Sequence, residues 1–138
     1  MKIRSLLFVL ISLMILAFPI AFAGAKGSEA YVSYFTDTYG INVTNTGGAP
    51  IIEVSIVVHG ATITDVTGNV GWSYVQNTTD GGEDRVTWTA DSGKDSIRTQ
   101  RYNSFGFQLS NSPDSISWTA YTKKTATSST DDPPYPTS

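Results

Sequence analysis

The sequence predicts an all-β fold: an antiparallel β-sandwich of about seven to nine strands behind an N-terminal hydrophobic signal helix. Three observations predict it. Short runs rich in Val, Ile, Thr and aromatic residues alternate apolar with polar positions, and Gly, Asn, Asp and Pro separate them. No stretch beyond the N-terminal segment carries the i, i+3, i+4, i+7 apolar stripe of a core helix, and a parallel sheet would need such helices between its strands. The turn signals recur every ~8 to 12 residues, the spacing of a sandwich.

The N-terminal segment comes first in the chain. Lys2 and Arg4 precede an apolar run from Leu6 to Phe18 that only Ser12 interrupts. Pro19 disfavours further helix, and Ala21-Phe22-Ala23 places small residues where a signal peptidase reads them. Residues 1–23 therefore read as a signal peptide, cleaved after Ala23. The alternative is an uncleaved membrane anchor, because Ser5 to Gly24 is uncharged and roughly 20 residues cross a bilayer. The expected localisation is secreted or cell-surface, with membrane contact only through this segment if it is retained.

Residues 24–122 read as the sandwich. Ala30, Val32 and Tyr34 share one face of the first strand, and Tyr31, Ser33 and Phe35 share the other. Asp37-Thr38-Tyr39-Gly40 reads as a turn, and Ile41 to Asn45 as the next strand. Thr46 to Pro50 is a loop. Ile51 to Val58 is the strongest strand, with Ile52, Val54, Ile56 and Val58 on one side. Ala61 to Val66 is weaker, and Trp72 to Gln76 follows. Asn77 to Asp84 reads as a polar loop. Arg85 to Ala90 alternates, with Val86, Trp88 and Ala90 inward. Asp91 to Ser96 is a second polar loop. Phe105, Phe107 and Leu109 share a face, and Ile116, Trp118 and Ala120 share another on the last strand. Residues 123–138 change character: small hydroxylated residues lead into Asp131-Asp132-Pro133-Pro134-Tyr135-Pro136, which reads as a disordered Thr/Ser/Pro-rich tail.

Composition narrows function. Removing Lys2 and Arg4 leaves seven basic residues against twelve acidic ones, a net of −5, and the basic residues are scattered. A phosphate backbone needs a clustered positive face, so no nucleic-acid partner is expected. The chain has no cysteine, which removes thiol catalysis, redox chemistry and Cys-based metal sites. His59 is the only histidine. It cannot assemble a zinc site without carboxylates alone, and no serine lies in a G-x-S-x-G setting. The acidic residues gather in two loops, Asp80, Glu83 and Asp84, then Asp91 and Asp95, without the spacing of a calcium loop. A hydrolase using Asp84 and Asp91 is the weakest of the readings. No catalytic residue, metal or cofactor is assigned.

The aromatics carry the binding candidates. Trp88 and Trp118 fall on the apolar phase of their strands and belong to the core. Trp72, beside Gly71 at a strand start, and Tyr121, on the outer phase of the last strand, are the candidate ligand-binding residues. Two glycosylation sequons are present, at Asn77 (Asn77-Thr78-Thr79) and Asn42 (Asn42-Val43-Thr44), with Asn77 the more accessible acceptor.

Gly71-Trp72, Val86-Thr87-Trp88-Thr89-Ala90 and Phe105-Gly106-Phe107-Gln108-Leu109 together resemble the core of secreted immunoglobulin-like β-sandwich families, among them the YcnI-like domains. The Asn45-Thr46-Gly47 loop before a long strand is similar to cellulose-binding-type carbohydrate modules. The resemblance implies an immunoglobulin-like fold. The copper site of YcnI-like domains uses a histidine at the mature N-terminus, and Gly24-Ala25-Lys26 offers none. The expected function is a non-enzymatic secreted or cell-surface module for adhesion, structural assembly or partner binding, through exposed strand edges for example. The alternative is a carbohydrate-binding module using surface aromatics. The partner is thus an extracellular protein or a polysaccharide.

Overall fold

A computed structural model describes residues 27–137. The signal segment, its cleavage point and the anchor alternative lie outside the described residues. Within them are nine strands: β1 (Glu29–Phe35), β2 (Thr38–Thr44), β3 (Glu53–His59), β4 (Ile63–Val66), β5 (Trp72–Thr78), β6 (Asp84–Ala90), β7 (Tyr102–Leu109), β8 (Ser115–Tyr121) and β9 (Ala126–Asp131). They form a four-stranded sheet, in the order β1-β2-β7-β4, and a five-stranded sheet, in the order β5-β6-β3-β8-β9. Every strand pair within the sheets is antiparallel.

The period-2 alternation decides which side of each strand faces the other sheet. Val32, Ile41, Val43, Phe105 and Phe107 project from one sheet, and Val54, Ile56, Val58, Val86, Trp88, Ile116 and Trp118 from the other. These are the phases the alternation assigns to the core. Trp88 is fully buried, with its ring centroid 5.1 Å from that of Phe105 and 6.5 Å from that of Phe107. Each such side chain contributes about 1.5–3 kcal/mol by leaving water, which lets the domain fold without disulfides.

Three expectations are corrected. Asp37 to Gly40 is not the turn: Phe35 pairs with Thr38, so the turn is Thr36-Asp37 alone and Tyr39 is a buried strand residue. Asn77 is not in a loop but on β5, paired with Arg85. The last segment is not a disordered tail. Ala126–Asp131 pairs with β8 through all six residues. Threonine suits a pleated strand, and an edge strand needs no apolar face of its own to pair. Tyr135 then packs against the core, with its ring 5.8 Å from Tyr39 at a near-perpendicular angle.

This C-terminal segment also seals one side of the sandwich. Asp131, in the five-stranded sheet, accepts the Val32 N–H of β1 at 2.8 Å, and the Pro136 carbonyl accepts the Tyr34 N–H at 2.9 Å. On the opposite side Asp84 accepts the Ile63 N–H of β4 at 2.8 Å, while the Gln76 amide donates to the Ile63 carbonyl at 3.1 Å. The edges of the four-stranded sheet are thereby occupied.

Candidate binding face on the four-stranded sheet

The outer face of the four-stranded sheet carries the largest group of exposed rings. Pairing places Tyr31, Ser33 and Phe35 of β1 beside Asn42, Gly40 and Thr38 of β2. Those in turn lie beside Ser104, Gly106 and Gln108 of β7, with Tyr102 opposite Thr44. Tyr31, Phe35 and Tyr102 are 54%, 63% and 74% exposed. Tyr31 and Phe35 stand four residues apart on one strand, roughly 13 Å, and Tyr102 stands two strands away, roughly 10 Å across the sheet.

On this face a shallow trough of about 260 Å³ is bordered by Phe35, Thr38, Asn42 and Ser104. Its floor exists because two glycines, Gly40 and Gly106, are cross-strand partners. A Cβ on Gly106 would come within 2.9 Å of Thr67 Oγ1, so the position is closed to larger residues unless Thr67 moves. The walls are polar and uncharged. Ser104 Oγ donates to Asn42 Oδ1, and Asn42 Nδ2 donates to Ser33 Oγ at 3.4 Å. No charged side chain lines the trough. Tyr39 lies beneath it and also borders a larger cleft of about 630 Å³ at the end of the sandwich. That cleft is walled by Tyr34, Tyr135, Pro133 and Pro134, with Asp37 and Asn111 at its rim. Burial raises the Tyr39 phenol above its ordinary value and pushes that of Tyr135 up to about 12.

The residues singled out from sequence lie elsewhere. Trp72 is 5% exposed, with its ring 5.0 Å from Phe105. It is a core residue and presents no face to a ligand, which corrects its candidacy. Its inward phase on β5 outweighs the adjacent Gly71. Tyr121 is half-buried on the outer side of the five-stranded sheet, beside Glu53 and Ala126. The two share no site. Of the sequons, Asn77 is exposed on β5, whereas Asn42 is held by hydrogen bonds within the trough.

His59 has partners that spacing did not reveal. Its Nδ1 contacts the Glu83 carboxylate, and its Nε2 lies 2.8 Å from Ser117 Oγ, itself 3.0 Å from Thr130 Oγ1. An acid, an imidazole and a hydroxyl in series also begin an acyl-transfer site. Such chemistry needs donors aimed at the developing oxyanion. Ser117 sits mid-strand with ladders to β3 and β9 on either side, so the surrounding amides are committed to pairing. The series ties β3, β8 and β9 together.

The acidic loops do not converge. Asp84 and Asp91 bracket β6, roughly 23 Å apart along the strand, whereas paired acids in glycoside hydrolysis stand roughly 5–9.5 Å apart. Asp84 holds Ile63, Asp91 accepts from Ser73, and Asp95 accepts from Ser92 at 2.6 Å. Among the described residues no group of three His, Asp or Glu side chains could hold a metal ion, and no helix is long and apolar enough to cross a membrane.

No family model matches the chain, and no curated protein does. Solved structures do. An uncharacterized protein from Nocardia farcinica with an immunoglobulin-like fold matches with a TM-score of 0.50 at 14% identity, over 80% of this chain and 86% of that one. A GH20 exo-β-N-acetylglucosaminidase from Vibrio harveyi, solved with N-acetylglucosamine, matches with a TM-score of 0.46 at 8% identity, over 78% of this chain and only 18% of that one. The first likeness shows the fold: an immunoglobulin-like β-sandwich.

Proposed function

We propose that this chain is a non-enzymatic, exported binding module whose working surface is the outer face of the four-stranded sheet, and that its ligand is a neutral saccharide. The N-terminal segment, read as a cleaved signal, supports export. One observation carries the ligand: Phe35 borders an uncharged trough walled by amide and hydroxyl groups, and Tyr31 and Tyr102 stand exposed on the same sheet face. Rings stack on the C–H faces of sugars, and Asn42, Ser104 and Gln108 supply donors and acceptors for hydroxyls. A protein partner would favour a more continuous apolar centre. An anionic glycan would need cations, and the trough has none.

Affinity electrophoresis through gels containing neutral polysaccharides tests this reading. The expected result is retardation by at least one of them, weakened about tenfold or more by Tyr31→Ala with Tyr102→Ala, on the scale of aromatic anchors in other interfaces. Trp72→Phe, in the core, is expected to leave it intact. Migration unaffected by every polysaccharide, or retardation indifferent to the two tyrosines, would overturn the proposal.

A further inference from the structure

The cleft at the end of the sandwich shares only Tyr39 with the saccharide trough. Its volume of about 630 Å³ lies in the range of small-molecule sites. Rings and aliphatic carbon make much of its wall, from Tyr34, Tyr39, Tyr135, Pro133 and Pro134. The Tyr39 ring stands 4.7 Å from that of Tyr34 and, nearly at right angles, 5.8 Å from that of Tyr135. Tyr39 is buried, while Tyr34 and Tyr135 are half-buried and keep part of their surface open.

This wall is formed before any ligand arrives. The Pro136 carbonyl accepts the Tyr34 N–H at 2.9 Å, and the Tyr135 hydroxyl donates to the Asp131 carbonyl at 3.3 Å. Ser112 hydrogen-bonds the Tyr39 phenol. A ligand therefore meets rings that are already ordered, which lowers the cost of binding.

The charge around the cleft is of one sign. Asp37 lines it and is exposed, and it has no cationic partner among the described residues. No lysine, arginine or histidine lines it. Burial is the main cause of the raised Tyr39 and Tyr135 phenols, but Asp37 also acts on the first, and Asp131 and Asp132 on the second.

We propose that this cleft is a second binding site, and that it takes an organic cation bearing a quaternary ammonium group and no anionic group. The face of a tyrosine ring attracts a cation within about 6 Å of its centroid, and the Asp37 carboxylate adds a full charge at the mouth. A primary ammonium carries N–H donors that lose water at high cost and need acceptors that rings and prolines do not supply. A quaternary ammonium has no such donor, and its methyl groups pack on the same rings. A neutral apolar ligand would leave Asp37 uncompensated, and an anion would be repelled by it.

Choline is the probe, titrated at constant chloride and followed by amide NMR shifts. Shifts should saturate at millimolar concentrations and centre on Asp37, Asn111 and Tyr135. The neutral isostere 3,3-dimethylbutanol should bind at least about fivefold more weakly, and Asp37→Asn should weaken choline by about threefold or more. Tyr135→Leu should abolish saturation, while Tyr31→Ala with Tyr102→Ala should leave it unchanged. Phosphocholine, which brings its phosphate beside Asp37, should bind more weakly than choline and so separates a free cation from a lipid headgroup. No saturation below about 50 mM choline would overturn the proposal. So would equal binding of the isostere, tighter binding of phosphocholine, or parental affinity in folded Asp37→Asn. None of these outcomes depends on saccharide binding.

Discussion

Asn45 shows how much one side chain can organise. Fully buried, it donates to the Ala49 and Ile97 carbonyls, each at 2.8 Å, and accepts the Gly47 N–H at 2.9 Å. It therefore fixes the loop before β3 to the loop before β7. Removing it takes the partner from the Ala49 carbonyl, and one of two partners from the Ile97 carbonyl, which also accepts the Ile51 N–H, and from the Gly47 N–H, which also donates to the Gly27 carbonyl; a buried group left without a partner costs about 1–3 kcal/mol. Asn45→Ala should lower stability by about 1–3 kcal/mol in urea denaturation, while Ser128→Ala on exposed β9 should stay within about 0.5 kcal/mol. The sequence marks Asn45 as the head of an Asn-Thr-Gly loop, but its bond to Ile97 joins residues 52 apart, and such closure is set by tertiary packing. Trp72 teaches the converse. Its neighbour Gly71 suggested exposure, yet the phase of β5 relative to Phe105 placed it in the core.

At the scale of elements, strands with apolar alternation were legible, because burial of one face fixes their phase. β3, β6, β7 and β8 all belong to this class. β1 was legible as a strand but ambiguous in face: Tyr34 lies on one side, Tyr31 and Phe35 on the other. Which aromatic side faces solvent depends on where the second sheet lies, so the candidate site could not be located from periodicity. β9 was missed because its alternation is among hydroxylated residues, which carry no burial signal. Its contribution is measurable. Ending the chain after Thr122 removes the β8 partner, the Asp131 bond to Val32 and the Tyr135 ring. The melting temperature should fall by at least about 10 °C, where a disordered tail would leave it unchanged.

The whole molecule responds to pH through its buried phenols. Tyr135 is held near 12 and Tyr39 is also raised, both chiefly by burial. A raised phenol stabilises the fold fully below its unfolded value, about 10, and that contribution is lost as pH climbs through the folded value. The urea midpoint should therefore decline between about pH 10 and 12, and Tyr135→Phe, which cannot ionise, should flatten the decline. Both phenols lie where the C-terminal segment crosses from one sheet to the other, so this alkaline transition reports on the closing of the sandwich.

That crossing has a consequence for biogenesis. Val32 and Asp131 stand 99 residues apart, and the bond between them seals the β1 edge. In a chain emerging from a ribosome, β1 is made 99 residues ahead of the aspartate that covers it. Contacts this distant in sequence form slowly. Until Asp131 has been made the nascent sheet keeps an open flank, and β9 acts as the clasp that ends this vulnerable interval.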